Sequence, residues 1–281
     1  MRCCSKKVPL IIGGILILGG LGLYTNKHFM GQGITLPPAV EIPQQRPADK
    51  PSESVAKPAQ KAEGVASKES STEIISPEQK RMESIIDQIF PKDQMKIGFE
   101  IPESEKSIIE KSGSKSTYGE LLPVGAIRAA KLLKIAPTDI VYDLGSGTGR
   151  ALMMLYLVSS AKKYVGIEIS KTRDDIAQEA LKKLRTIPGA LNAKRPIEFQ
   201  HQNVLNANFS DATVIYISSL CFPPEVVDAI LDKIVATVKP GCRILTSKPF
   251  SEHPHIGPAE VVEIPMSWRP TGSKTHMYSV Q

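Results

Sequence analysis

The pattern of apolar and polar positions predicts alternating strands and helices over the carboxyl-terminal half of the chain. Short apolar runs predict strands at 140–142, 164–168, 196–201, 212–217, 242–247, 261–265 and 274–280. Helical periodicity lies between them at 151–158, 171–185 and 225–238. This alternation favours an α/β fold, an open, mostly parallel sheet of seven strands with helices on both faces. Ligands of such sheets bind at the carboxyl ends of the strands.

Shorter amphipathic segments precede the sheet. The sequence Ser76-Pro77-Glu78 places a capping hydroxyl before a proline and an acid, which is typical of a helix start. Apolar residues then recur on one helical face, at Met82, Ile85, Ile86 and Ile89. A second helix is predicted over 103–110, and a third from 117 through 133. We expect a small helical lobe over 76–116 and the main domain over 117–281.

The amino terminus carries an apolar run from Val8 to Tyr24, interrupted by Pro9 alone. Its length of roughly 17 residues lies at the lower limit for a membrane span. A cleaved signal peptide is the alternative, but no Ala-x-Ala-like site follows the run. We therefore predict an uncleaved membrane anchor over residues 1–29. Cys3 and Cys4 lie beside it, as free thiols or as acylation sites.

Composition separates this anchor from the folded part. Residues 30–75 are rich in Pro, Ala, Ser, Lys and Glu, which predicts an extended tether. The whole chain of 281 residues is 41% hydrophobic, enough for a core. Its net charge of +6 is compatible with an anionic partner but too diffuse to establish one. The four cysteines have no disulfide or zinc-binding spacing, so we predict a reducing compartment and no metal.

The strongest chemical signal follows the first predicted strand of the sheet. Glycines stand at positions 145, 147 and 149, directly before the helical stretch 151–158. Such glycines let the backbone turn tightly and let a ligand lie against bare amides, while the helix directs its first N–H groups at that ligand. We therefore assign Gly145, Ser146, Gly147 and Gly149 to a cofactor-binding loop.

Acidic residues at two strand ends indicate which ligand the loop binds. Asp143 precedes the first glycine, where a carboxylate suits a cationic ammonium group and would repel a pyrophosphate. Glu168 ends the next strand, where an acid accepts hydrogen bonds from ribose hydroxyls. An ammonium and a ribose with no phosphate between them describe S-adenosylmethionine. Asn203 and Val204 follow the third strand and are the candidates for contacts with the adenine.

The sequence from about residue 118 onwards resembles the non-SET histone-lysine methyltransferases of the disruptor-of-telomeric-silencing type. Residues 143–149 and 166–168 look like that family's glycine loop and ribose motif. More specific similarities are the stretch 238–250 and Ser267-Trp268 followed by Tyr278. Tyr118-Gly119-Glu120 is similar to a further family motif. The resemblance implies a class I methyltransferase with S-adenosylmethionine as cofactor, and implies that Tyr118 and Glu120 bind it.

The sequence also departs from this family. The residues 218–222, Ser-Ser-Leu-Cys-Phe, stand where the family has Asn-Asn-Phe-x-Phe, and Asn203 replaces an acid at the adenine. The family's lysine-rich nucleosome-binding tail has no counterpart in this sequence, whereas a membrane anchor is added. A nucleosomal substrate therefore does not follow from the resemblance, and direct nucleic-acid binding is not indicated.

The resemblance implies transfer of a methyl group to a lysine ε-amine. Because the sulfonium carries its own leaving group, the protein mainly has to position an uncharged amine in line. A narrow apolar channel lowers the pKa of the lysine, and Phe250, Trp268 and Tyr278 are the candidates to form it, with core packing as the alternative for each. Ser218 and Ser219 are expected to orient the amine, and no residue presents itself as a general base.

Three functions stay open at this stage. We favour a membrane-tethered protein-lysine methyltransferase that acts on an acidic or histone-like protein. The alternatives are a methyltransferase of a small molecule or lipid, and a catalytically weak adaptor, against which the intact Asp143 and Glu168 argue. Positive charge before the span favours a position across the membrane for the rest of the chain, yet the cofactor is an intracellular metabolite. Lys27 and His28 after the span weaken this charge asymmetry, so the orientation stays open. Export into a host, or residence in an organelle, reconciles the two.

Overall fold

The computed structural model describes residues 75–91, 98, 100–116 and 119–281. The helices are α1 (Pro77–Ile89), α2 (Glu103–Lys111), α3 (Pro123–Leu132), α4 (Arg150–Val158), α5 (Lys171–Thr186) and α6 (Pro224–Thr237). The strands are β1 (Ile140–Leu144), β2 (Lys163–Glu168), β3 (Ile197–His201), β4 (Val214–Ile217), β5 (Arg243–Thr246), β6 (Glu260–Met266) and β7 (Arg269–Ser279). A 3-10 turn, Ser219–Cys221, follows β4.

The strands form one sheet of seven in the order β3-β2-β1-β4-β5-β7-β6. The strands from β3 to β5 in this order are parallel, and β7 runs antiparallel to both β5 and β6. This confirms the predicted mostly parallel sheet. The strand order reverses between β1 and β4, and a crevice for ligands opens at the carboxyl ends of strands at such a point.

Apolar side chains cover both faces of the sheet, so the central strands are buried on two sides. Alternate residues of β1 illustrate this, because Val141 packs into one core while Tyr142 and Leu144 pack into the other. Helices α1, α3, α4 and α5 contribute to the first core, and α6 contributes to the second. The near-continuous apolar character of β1 and β4 follows from this double burial.

Helix α1 forms as its sequence predicts. The Ser76 hydroxyl accepts a hydrogen bond of 3.1 Å from the Gln79 N–H, and Pro77 occupies the first turn. The predicted apolar face is the buried one, formed by Met82, Ile85, Ile86 and Ile89. The face packs into the core beside α3 and α4, so the helix is an integral part of the main domain's core.

The prediction of a helix that begins at residue 117 is wrong for its first part. Helix α3 begins at Pro123, whose ring disfavours a helical conformation at Leu122. Leu122 is extended instead, and Leu121 forms an antiparallel bridge with Met266 of β6, while residues 117 and 118 lie outside the described residues.

The predicted anchor from Val8 to Tyr24, Cys3 and Cys4, and the tether over 30–74 lie outside the described residues. Among the helices that the structure describes, none is long and apolar enough to cross a membrane. The anchor and the domain boundaries therefore stay predictions.

A chain that begins at residue 75 should fold cooperatively and bind cofactor like the full chain, because the described core begins at Met82. A matched chain that begins at residue 103 lacks α1 and should unfold, since each large apolar side chain buried by α1 contributes about 1.5–3 kcal/mol. Chemical denaturation of both measures this. Aggregation of the chain that begins at residue 75, or equal stability of the two shortened chains, would contradict a folded unit that begins near residue 76.

Candidate active site

A cavity lies at the carboxyl ends of β1, β2 and β4. It encloses about 1070 Å³, including the part open to solvent. The loop after β1 forms one side, the segment 109–115 at and after the end of α2 forms another, and the first turns of α6 form a third. Nine of the predicted site residues line it: Glu120, Asp143, Gly145, Ser146, Gly147, Glu168, Asn203, Val204 and Ser218.

The glycines of the loop fulfil different requirements. Gly145, Gly147 and Gly149 all have positive φ, at 86°, 54° and 78°. Gly145 and Gly147 line the cavity, as predicted. Gly149 is not among the lining residues, and a Cβ there would lie 2.5 Å from the ring of Phe199. Gly149 thus packs against Phe199 of β3 at the cap of α4, and its assignment to cofactor binding stays a prediction.

The same aromatic ring also covers the end of β2. Phe199 and Gly166 are register partners in the parallel pair of β3 and β2. A Cβ on Gly166 would lie 2.6 Å from the Phe199 ring and 2.7 Å from the Ser146 hydroxyl. The close approach of strand, ring and loop at this point leaves room only for glycine.

Asp143 is the residue whose environment is most unusual. Its side chain is 1% exposed, and neither carboxylate oxygen has a hydrogen-bond partner among the described residues. Burial, and then the nearby charge of Glu168, raise the pKa of Asp143 to about 8. A buried, unpaired carboxylate is unfavourable by itself. The site therefore suits a cationic ligand group.

Glu168 binds the glycine loop from the end of β2. Its carboxylate accepts hydrogen bonds of 2.8 Å from the N–H of Gly147 and 2.8 Å from the N–H of Ser170. Burial is the largest effect on this carboxyl and raises its pKa despite these hydrogen bonds. Since each carboxylate oxygen can accept two hydrogen bonds, Glu168 keeps capacity for ligand hydroxyls.

Hydrogen bonds to α5 hold α2 and the residues on either side of it, and with them the segment 109–115 that lines the cavity. Glu105 of α2 accepts hydrogen bonds from the hydroxyls of Ser170, at 2.6 Å, and Thr172, at 2.7 Å. In return, Arg173 of α5 donates to the carbonyl oxygens of Gly98, at 2.9 Å, and Ser116, at 2.5 Å. These bonds fix the segment that lines the cavity opposite the glycine loop.

Arg150 is a site residue that the sequence analysis missed. Its side chain lines the cavity at the start of α4, with Nε 3.6 Å from the Glu120 carboxylate and the guanidinium 5.6 Å from the Phe90 ring. Nε makes no hydrogen bond within the described part of the chain. A cation at a helix start is unfavourable with respect to the helix dipole, and this was the available signal.

The residues predicted to contact adenine line the cavity beyond Glu168. The Asn203 side-chain oxygen accepts a hydrogen bond of 2.9 Å from the N–H of Leu205, which fixes the side chain in a turn. Val204 is buried beside it. Val226 and Ile230 of α6 complete an apolar surface on this side. These surroundings suit a flat aromatic base with a polar edge.

The predicted catalytic residues do not come together in the cavity. Ser218 lines it, but the buried Ser219 hydroxyl lies 2.9 Å from the Thr246 hydroxyl and accepts from the Lys248 N–H at 2.8 Å. Phe250 and Tyr278 are buried with their ring centroids 5.0 Å apart, and the Tyr278 hydroxyl accepts from the Phe250 N–H. Neither aromatic is among the lining residues, so the alternative, core packing, describes them.

Trp268 lies at the rim of the site. It occupies the two-residue turn between β6 and β7 and is 41% exposed. Its ring covers Gly119, where a Cβ would approach to 2.4 Å. The neighbouring Ser267 hydroxyl accepts a hydrogen bond of 3.0 Å from the N–H of Glu120, a cavity residue. Tyr118 lies outside the described residues, so its contact with the cofactor stays a prediction.

The sequence analysis also missed residues on the apolar side of the cavity. Phe222, half-buried, is packed against Gly145, where a Cβ would lie 3.0 Å from the ring. Cys221 and Lys115 line the cavity, and the Lys115 N–H donates to the Cys221 carbonyl at 2.8 Å. The resemblance placed residues 218–222 here but left their individual roles open.

The sequence profile described as "Histone methylation protein DOT1" matches residues 99–263. The chain belongs to this family. The match includes both acids, the glycine loop and the segment that covers the cavity. It confirms the resemblance recognised from the sequence, and with it a family of S-adenosylmethionine-dependent protein methyltransferases.

Individual relatives agree with this membership. The chain is 33% identical over 148 residues to "Histone-lysine N-methyltransferase, H3 lysine-79 specific" of Caenorhabditis elegans, covering 49% of this chain and 15% of the relative. It is 29% identical over 139 residues to "Protein-lysine N-methyltransferase" of Saccharolobus islandicus, covering 49% and 78%. The aligned part is thus a small share of the histone-specific relative. An RNA methyltransferase structure from Salinibacter ruber, in complex with S-adenosyl-L-homocysteine, aligns with a TM-score of 0.43 at 23% identity over 55% of this chain and 89% of that one.

The buried environment of Asp143 predicts that, in the absence of ligand, the effect of Asp143→Asn on the free energy of unfolding depends on pH. Because the folded pKa of about 8 lies above the unfolded value, the folded state retains the proton and loses stability as pH rises from about 4 to 8. The stability of the variant relative to the parent should therefore increase over pH 5–8 and level off above. The upper limit is about 1.4 kcal/mol per pH unit. Urea denaturation at several pH values measures this, and a pH-independent difference would refute the assignment.

Proposed function

We propose that this protein is an S-adenosylmethionine-dependent protein-lysine N-methyltransferase, tethered to a membrane through the run from Val8 to Tyr24. The observation that carries the proposal is the buried carboxylate of Asp143, which has no hydrogen-bond partner in the described part of the chain and lies beside the glycine loop of a DOT1 family member. Its isolation suits the ammonium group of the cofactor, which removes the electrostatic penalty of burial when it binds.

The residues of the cavity fit the remaining parts of the cofactor. Glu168, between the loop and α5, is placed to accept from the ribose hydroxyls, and Asn203 and Val204 border the space for the adenine. Arg150 is the cavity cation nearest to the loop in sequence, and its guanidinium suits the carboxylate of the amino-acid moiety. An acid for the ammonium and a cation for the carboxylate together match a zwitterionic group.

The cofactor supplies an activated methyl group, and the protein positions the acceptor. The amine must be uncharged to attack, since the nitrogen lone pair forms the new N–C bond while the C–S bond breaks. Apolar side chains of the cavity, including Phe222 and Ile109, favour loss of the ammonium proton to solvent before transfer. Ser218 is the cavity residue that we assign to orienting the amine, in place of Ser219.

The names of the relatives support a protein lysine as acceptor. The histone-specific relatives are much longer than the part they share with this chain, whereas 78% of the Saccharolobus protein-lysine methyltransferase is covered. The shared part is therefore close to a whole protein-lysine methyltransferase. We propose lysine in a protein as the substrate class, with a histone-like protein and an acidic protein as the two candidates.

Glu168→Ala should weaken cofactor binding about ten- to hundredfold, because a charge-assisted hydrogen bond of about 1.5–3 kcal/mol is lost and the Gly147 N–H loses its acceptor. Calorimetry measures the affinity. Glu179→Ala, an exposed acid on α5, is the matched control and should bind normally. Unchanged affinity in Glu168→Ala would refute the ribose assignment.

Incubation with labelled cofactor and a cell lysate should place methyl groups on lysine, as mass spectrometry can determine. Trp268→Ala should reduce the rate of methyl transfer tenfold or more, which corresponds to a rise of about 1.4 kcal/mol or more in the activation free energy. The affinity for the cofactor should stay unchanged. Val261→Ala, an exposed apolar residue of the same hairpin, is the control. Label on arginine, lipid or small molecules alone would reject the lysine proposal. Equal loss of binding and transfer in Trp268→Ala would assign that residue to folding.

A further inference from the structure

A second surface of the protein carries charge and has no role in the proposed reaction. Two grooves of about 750 and 810 Å³ meet at Leu157, and both volumes include open solvent. One is lined by α1 and the loop 189–195, and the other by the end of α3, the end of α4 and the residues 159–160 that follow α4. These loops lead into β1, β2 and β3, so we call this surface the amino edge. It lies at the opposite end of the strands from the active site.

Basic side chains dominate the amino edge. Lys131 and Lys134 line one groove. Lys194 lies in the loop 189–195 between two residues that line the other groove, and all three lysines are exposed. Arg81 and Arg195 also line the grooves. Among the described lining residues of these two grooves, Glu78 is the one acid.

The two arginines are held in place by the backbone of the edge. Arg81 donates to the Gly189 carbonyl at 2.7 Å, and Arg195 donates to the Ser159 carbonyl at 2.5 Å. The Arg195 guanidinium also lies 4.6 Å from the Tyr156 ring. Neither arginine pairs with a carboxylate in these contacts. Their charges therefore add to those of the exposed lysines, while the nearby Lys163 is paired with Glu198 at 3.0 Å.

The chain enters the folded unit at this same edge. Glu78 and Arg81, in the first turns of α1, line the two grooves, whereas Phe90 at the other end of α1 lies beside Arg150 of the active site. About 50 residues separate the start of α1 from the apolar run that ends at Tyr24. If that run anchors the protein, the tether holds the folded unit close to the membrane surface, at a high effective concentration relative to it.

We propose that the amino edge docks on an anionic lipid surface. Clusters of lysine and arginine near an anionic leaflet are attracted to it, and each contributes about fivefold in affinity. The proposal rests on the predicted anchor, which makes lipid the partner that this edge meets first. In the docked orientation the active site opens away from the membrane, towards protein substrates in the aqueous phase.

Hydrogen–deuterium exchange of the full chain in vesicles tests the proposal. Amides of 189–195 and 159–162 should exchange more slowly in phosphatidylcholine vesicles that contain phosphatidylserine than in phosphatidylcholine alone. High salt should abolish the difference, because surface charges are screened within about 8 Å at physiological ionic strength and less above it. The variant with Lys131→Gln, Lys134→Gln and Lys194→Gln should weaken docking on the order of hundredfold and lose the difference.

A charge-matched variant separates position from net charge. Lys239→Gln, Arg269→Gln and Lys274→Gln change exposed residues near the far strands of the sheet, and this variant should keep the difference. Both variants should bind cofactor normally by calorimetry, so that failure of docking is distinguishable from failure of the proposed function. Equal exchange in the two vesicle types, or slower exchange at the glycine loop instead, would overturn the proposal. Slower exchange with a DNA duplex but not with vesicles would assign the edge to nucleic acid.

Discussion

The buried carboxylate of Asp143 is the constraint on which the site depends. It lies at the end of a fully buried central strand, and the second acid, Glu168, ends the neighbouring strand. Two acids so close in a low-dielectric crevice destabilise the protein unless a cation binds. The fold accepts this because the strands and cores on both sides are otherwise continuous and apolar. The two acids of the site thus lower the stability of the ligand-free domain, and the same two acids recognise the ligand.

The strand order and the segment after α2 together form the crevice around that carboxylate. The strand order creates the opening beside β1, and the segment after α2 covers it. This cover is bound through Glu105 of α2, which accepts from the Ser170 hydroxyl, and through Arg173 of α5, which donates to the carbonyls of Gly98 and Ser116 on either side of α2. Glu105 accepts from hydroxyl and backbone groups at the start of α5, directly after Glu168, and Arg173 lies in the first turn of the same helix. The second acid and the cover therefore share one short stretch of chain.

Sequence reasoning succeeded where local periodicity decides the outcome. The strands, α1 and the glycine loop follow from patterns that the tertiary structure preserves, and both acids fall at strand ends as expected. It failed where tertiary contacts decide, because an aromatic such as Phe250 or Tyr278 satisfies a channel and a core equally well in sequence. Ser219 is similar, since its hydroxyl bonds to residues from a distant strand. Only the fold shows that Arg150 turns into the cavity.

The ring of Phe199 links two glycines that are far apart in function. It lies over Gly166 in the register of β3 and β2, and it also limits Gly149 at the start of α4. A side chain at either glycine needs space that the Phe199 ring now occupies. At Gly149 the positive φ also disfavours every other residue, even where a smaller residue at position 199 provides that space. Positions 166 and 199 are therefore expected to covary among homologues, with alanine at the first accompanied by a smaller residue at the second, while position 149 stays invariant.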